Sequence, residues 1–168
     1  PHLINALKSE FEIQELLDLS SCEEKATYLE GTGSIVFDHL HRVAYACQSP
    51  RTSGEVLKIL CEKIGYDYFL FNAFDRSGKP VYHTNVLMCF GEDLAVVCLE
   101  SVPLGERENL ITRLKSGNRK VVEISITQME NFAGNMLFLQ SPLGKNYWVI
   151  SGGAFRALED EQRNALSL

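Results

Sequence analysis

Apolar and polar positions recur along this chain in one plan, seen three times. The segments are GTGSIVFDHLHRVAYACQS at 31–49, YHTNVLMCFGEDLAVVCLES at 82–101 and FAGNMLFLQSPLGKNYWVISG at 132–152. Each opens on small or polar residues, continues as an apolar strand, turns on polar residues and returns as a second strand, which predicts a hairpin. A helix candidate follows each hairpin, at 52–65, 104–118 and 157–168. In the first of these Val56, Leu57, Leu60 and Ile64 recur at helical spacing, with Ser53 placed as N-cap and Gly65 as stop. A further strand is predicted after two of the helices, at 66–75 and 120–126. Hairpin, helix and strand thus return about every fifty residues, the spacing of a repeat architecture. An α/β sandwich whose hairpins look alike by chance is the alternative that pattern leaves open. Residues 1–21 read as the helix and last strand of an earlier unit, and the chain stops inside a helix candidate with no strand after it. A unit that cannot bury its apolar face needs neighbours. The expectation is therefore one partial domain, 1–168, truncated at both ends.

Composition narrows the function. With 45% hydrophobic and 23% charged residues, the chain can bury a sizeable core. A net charge of −6, with Arg119-Lys120 as the nearest approach to a basic cluster, argues against a nucleic-acid partner. No apolar run is long enough for a membrane span, and the N-terminal residues lack the order of a signal peptide. The five cysteines, Cys22, Cys47, Cys61, Cys89 and Cys98, mostly fall within apolar patterns, which predicts free, buried thiols in a cytoplasmic protein. Neither C-x-x-C nor H-x-x-x-H occurs, so no metal site is expected. The Gly152-Gly153 pair lacks phosphate-loop spacing.

Three residues stand out chemically. Glu30 lies in LEGTGS, where glycines permit close backbone approach and a carboxylate can face a ligand; the plainer reading is an exposed acid beside a turn. Arg51, between a strand and a helix, presents a planar fork suited to a substrate carboxylate; the plainer reading is a surface arginine. His83 leads into the second hairpin as Glu30 leads into the first, so a repeat would bring the two to one end of the assembly. There an imidazole can serve as general acid and then general base. His39 and His41 flank a polar turn and are expected to be solvated.

Five stretches, EGTGSIVFD, RVAYACQSPRT, VYHTNV, AVVCLES and FAGNML, keep an order and spacing that closely resemble the citrulline-utilisation hydrolases, also called amidinotransferase-like or arginine-deiminase-related proteins. The likeness runs from about residue 17 to the end. It implies the guanidine-modifying superfamily, whose fold is a five-bladed α/β propeller (the pentein fold) built from ββαβ-type units. By residue, His83 resembles the catalytic histidine, Glu30 the acid that binds the guanidino or ureido head, and Arg51 the arginine that holds the α-carboxylate. Asn85 is a further substrate-binding candidate, two residues after the histidine, where arginine deiminases carry an aspartate; an amide offers a guanidinium no full negative charge. The resemblance also implies a nucleophilic cysteine in a glycine-rich segment near the C-terminus, which nothing in 1–168 matches. The expected function is hydrolysis of a C–N bond in a citrulline- or arginine-like amino acid through a cysteine-linked intermediate, without metal or organic cofactor. Amidino transfer and a non-catalytic amino-acid- or partner-binding module stay open, as does a homo-oligomer.

Overall fold

The computed structural model describes residues 2–116 and 118–167. The helix candidates ending at 118 and 168 each include one position, 117 or 168, that lies outside them. The chain opens with α1 (His2–Glu10) and a 3-10 turn, Ser20–Lys25. The first unit then follows as α2 (Gly31–Ser34), β1 (Val36–Asp38), β2 (Val43–Cys47), α3 (Gly54–Ile64) and β3 (Asp67–Phe71). The second consists of β4 (Met88–Phe90), β5 (Leu94–Val97), α4 (Leu104–Leu114) and β6 (Lys120–Glu123). After α5 (Ile126–Glu130) come β7 (Leu137–Gln140), β8 (Asn146–Val149), α6 (Gly152–Ala157) and α7 (Asp160–Ala165).

The repeat is visible in the pairing. β1 runs antiparallel to β2, with Val36 opposite Tyr45, and β2 runs parallel to β3, with Val43 opposite Asp67. β4, β5 and β6 reproduce this order, antiparallel and then parallel, with Met88 opposite Val97 and Leu94 opposite Lys120. A parallel pair needs a crossover of a dozen or more residues, which α3 and α4 supply. β7 and β8 form an antiparallel pair of their own. The three sheets are open, and their first strands are neighbours, β1 beside β4 and β4 beside β7. This is a mixed α/β fold of ββαβ-type units.

Burial explains the strands. β2 is buried along its whole length. Val43, Tyr45 and Cys47 join the main core, while Ala44 and Ala46 face the other way with Leu57 and Cys61 of α3. That is the period-two signature of a strand covered on both faces. α3 ends where Gly65 takes φ +69°. α4 contributes Leu110 and Leu114 to the main core.

Some expectations need correction. Residues 12–19 form no strand, because a strand exists only by pairing and none of the three sheets includes them. The second hairpin begins at Met88, since Thr84–Val86 is a 3-10 turn whose polar groups bond to the first unit. The helix expected to start at 157 starts at Asp160 instead, as α7, because Ala157 ends α6. Leu158 is extended, and the Glu159 and Gln162 side chains cap each other's backbone N–H groups to start α7 afresh. Arg119 does not form a surface cluster with Lys120. It is buried and donates to Asp38 from Nη1 at 2.5 Å and from Nη2 at 2.9 Å. His41, expected in solvent, is half-buried with Nδ1 at 2.9 Å from Asp38 Oδ2. His39 is exposed and hydrogen-bonded to the Tyr66 hydroxyl.

Candidate active site

Three loops meet at one end of the first two units, carrying Glu30, Arg51 and His83. An isolated bridge between Leu29 and Thr52 lays the first loop along the second. Three hydroxyls then tie the loops together. Ser34 Oγ accepts from Glu30 N–H at 2.9 Å and donates to the Arg51 carbonyl at 2.8 Å. Ser49 Oγ accepts from Arg51 N–H at 3.2 Å and donates to the Tyr82 carbonyl at 2.9 Å. Thr84 Oγ1 accepts from Cys47 N–H at 2.8 Å and donates to the Ser34 carbonyl at 2.6 Å. Each hydroxyl both donates and accepts, and all three side chains are buried. Sequence reasoning missed this scaffold; its one trace is a Ser or Thr inside an otherwise apolar or glycine-rich run.

The scaffold brings the predicted acid and histidine into contact. His83 Nε2 lies 2.7 Å from Glu30 Oε2, with side-chain exposures of 20% and 44%. An Nε2–H bonded to the carboxylate fixes the tautomer and orients the ring, leaving Nδ1 as the acceptor. Arg51 Nη1 is 3.6 Å from the same Glu30 oxygen, and its guanidinium stands 5.4 Å from the Tyr82 ring centroid. Tyr82 also packs on the His83 ring, centroid to centroid 4.9 Å. Both partners are on Oε2, leaving Glu30 Oε1 for a ligand N–H. The Arg51 side chain is half-exposed. Asn85 is set apart from this trio and lines a cleft between the hairpins.

Gly33 explains the glycine-rich lead-in. A Cβ there would lie 2.8 Å from His83 Nδ1 and Cε1. In the full-length protein, Gly33→Ala is expected to preserve the fold, because the obstructed group is a side chain, yet displace the imidazole and cut turnover by roughly 100-fold. Circular dichroism and steady-state kinetics check this; unchanged kcat would show that His83 needs no such placement.

All five cysteines are free. Cys47, hydrogen-bonded through Sγ to the Val81 carbonyl at 3.4 Å, has its thiol pushed by burial to about 11, and burial takes Cys89 to about 12. Burial also raises Cys61 and Cys98. These four are poor thiolates at neutral pH. Under native conditions a thiol reagent is expected to label half-buried Cys22 ahead of the other four, as read by peptide mass spectrometry after quenching. Equal labelling of Cys47 would contradict the packing beneath His83. Among the described residues no three His, Cys, Asp or Glu side chains gather as a metal site. Among the described residues no helix is long and apolar enough to cross a membrane.

The whole chain, residues 1–168, matches the family model described as N,N dimethylarginine dimethylhydrolase, eukaryotic. No curated protein matches it. Among solved structures, it is similar to the N-terminal domain of ArgZ, an arginine dihydrolase from the ornithine–ammonia cycle in cyanobacteria, as a cysteine-to-serine mutant bound to substrate. That match has 14% identity and a TM-score of 0.61 and covers 94% of this chain and 52% of that one. A second ArgZ N-terminal domain, covalently bonded to a reaction intermediate, matches at 16% identity and TM-score 0.59 over 77% of this chain and 44% of that one. An AgrE mutant in a binary complex with L-arginine matches at 14% identity and TM-score 0.59 over 83% and 19%. Likeness at these identities shows the fold. The chain spans about half the length of the ArgZ domain it matches.

Proposed function

The chain belongs to the eukaryotic N,N-dimethylarginine dimethylhydrolase family, and from that membership we propose that its parent protein hydrolyses a C–N bond of an arginine-type amino acid. The single observation that carries the reading is the Glu30–His83 contact at 2.7 Å with Arg51 beside it. A carboxylate, an imidazole and a half-exposed guanidinium in one place suit a guanidino or ureido amino acid.

In this mechanism a cysteine thiolate from outside residues 1–168 attacks the central carbon of the head group. Glu30 accepts N–H groups of the head and fixes its plane. His83 gives its proton to the departing nitrogen as the C–N bond breaks, leaving the carbon bonded to sulfur. The neutral imidazole then takes a proton from water as the hydroxide attacks that carbon, and the thiolate leaves with its electron pair. Arg51 swings from Glu30 to the α-carboxylate. Asn85 supplies a neutral hydrogen-bonding group nearby. The three units described here form part of a five-bladed propeller, with the remaining blades supplied by the rest of the protein. Free thiols suit a reducing cytoplasm.

Steady-state assay of the full-length protein against N,N-dimethylarginine, arginine and citrulline tests the reading, scoring amine or ammonia release. Turnover of at least one is expected. Calorimetric binding of these amino acids with no turnover of any would replace the enzyme by a binding module.

A further inference from the structure

Between β1, β4 and β7 lies a cleft of about 320 Å³, within the size range of small-molecule sites. Its walls are largely apolar, with Val36, Met88 and Met136 among them, and four polar side chains interrupt them: Thr32, His39, Asn85 and Asn135. Thr32, Asn85 and Asn135 come one from each hairpin lead-in. Thr32 is two residues after Glu30, and Asn85 is two residues after His83.

Asn135 is the member without a neighbour in the trio above. Its backbone is nevertheless packed on the histidine loop. The adjoining Gly134 approaches so closely that a Cβ there would lie 2.5 Å from the Val86 carbonyl oxygen and 2.7 Å from the Leu87 carbonyl carbon. Val86 ends the 3-10 turn that follows His83. Asn135 is held by its own backbone, its N–H donating to the Phe132 carbonyl at 3.0 Å. The exposed side-chain amide keeps an acceptor and two donors for a ligand.

We propose that Asn135 is a substrate-binding residue of the site formed by Glu30 and His83, contacting the head group of an arginine-type amino acid together with Asn85. The inference rests on the function proposed above and adds the third hairpin to it. Thr32 and Asn85 follow Glu30 and His83 by two residues, so the cleft begins next to the loops that carry the acid and the histidine, and in this proposal a head group held at Glu30 extends into it. Glu30 is the one carboxylate of the arrangement, so the two amides shape the head-group pocket without adding charge.

The test measures binding of L-arginine and L-citrulline to the full-length protein by calorimetry, for wild type, Asn135→Ala and Asn135→Asp. Asn135→Ala is expected to weaken both ligands roughly 10- to 100-fold and to leave the thermal midpoint unchanged. Asn135→Asp places a second negative charge at the head. It is expected to raise the preference for cationic arginine over neutral citrulline by roughly tenfold or more. A residue serving only the fold would not alter that ratio. Wild-type affinities and ratio in both variants would overturn the role of Asn135 while leaving the proposed function standing. Loss of affinity in Asn135→Ala with an unchanged ratio in Asn135→Asp would overturn contact with the head group. Wild-type protein that binds neither of these amino acids nor N,N-dimethylarginine would overturn the proposed function and this inference with it.

Discussion

In the full-length protein His83→Ala is expected to lower kcat roughly 100-fold or more, with a much smaller change in KM. The imidazole is the one group in the cluster able to give and take a proton near neutral pH, so its loss falls on the two proton-transfer steps. Glu30 and Arg51 remain to hold the ligand, which protects KM. The ring makes its hydrogen bond to an exposed carboxylate and is itself partly exposed, so the fold survives. Arg51→Ala is expected to show the reverse bias, raising KM more than it lowers kcat, as loss of binding shared by ground and transition states requires. Parallel kinetics on the two variants measure both effects. Full activity of His83→Ala would return the histidine to a structural role.

The largest expected effect on stability lies in the Asp38 cluster. Asp38→Ala leaves the Arg119 guanidinium buried without its carboxylate. Both side chains are 2% exposed, so solvent does not screen the loss, and about 3–5 kcal/mol of destabilisation is expected. Arg119 also stands 4.8 Å from the Phe90 ring centroid, in the second unit, whereas Asp38 ends β1 of the first. The pair therefore clasps one unit to the next. Replacing both partners with apolar residues, Asp38→Leu with Arg119→Met, is expected to recover most of the loss, because the cost arises from the orphaned charge. Denaturant unfolding of full-length wild type, single and double variants checks this; a double variant no better than Asp38→Ala would contradict it. The pair also sets an acid limit. Burial pushes the Asp38 carboxyl up, but the donors from Arg119 and His41 outweigh it and hold the group below the usual carboxylate range. Its stabilisation is complete above the ordinary value and is lost as the pH falls through the depressed one.

What could be read from the residues was what has a local pattern. β2 and β5 announce themselves as short continuous apolar runs, buried at every position, α3 by buried positions at helical spacing, and Glu30 and His83 because a repeat places equivalent lead-ins together. The strand expected within residues 1–21 failed because an extended segment is a strand only beside a partner. The hydroxyl scaffold and the Asp38–Arg119 clasp left no such trace. Thr84 reaches Ser34 across 50 positions and Arg119 reaches Asp38 across 81, and no local pattern marks either pair. Arg119-Lys120 looked like a basic doublet, yet the two residues point to opposite environments, one to the core and one to solvent. Arg51 was chosen for its planar fork, and its resting place against Glu30 and Tyr82 depends on a bridge between loops that the sequence does not display.

The central claim is that Glu30, His83 and Arg51 form one site for an arginine-type amino acid. A crystal structure of the full-length His83→Ala protein with such a substrate bound tests it most directly. The account predicts head-group nitrogens within about 2.7–3.2 Å of the Glu30 carboxylate, the Arg51 guanidinium moved onto the α-carboxylate, and a cysteine from beyond residue 168 facing the central carbon. A substrate bound elsewhere, with Arg51 still resting against Glu30, would contradict it.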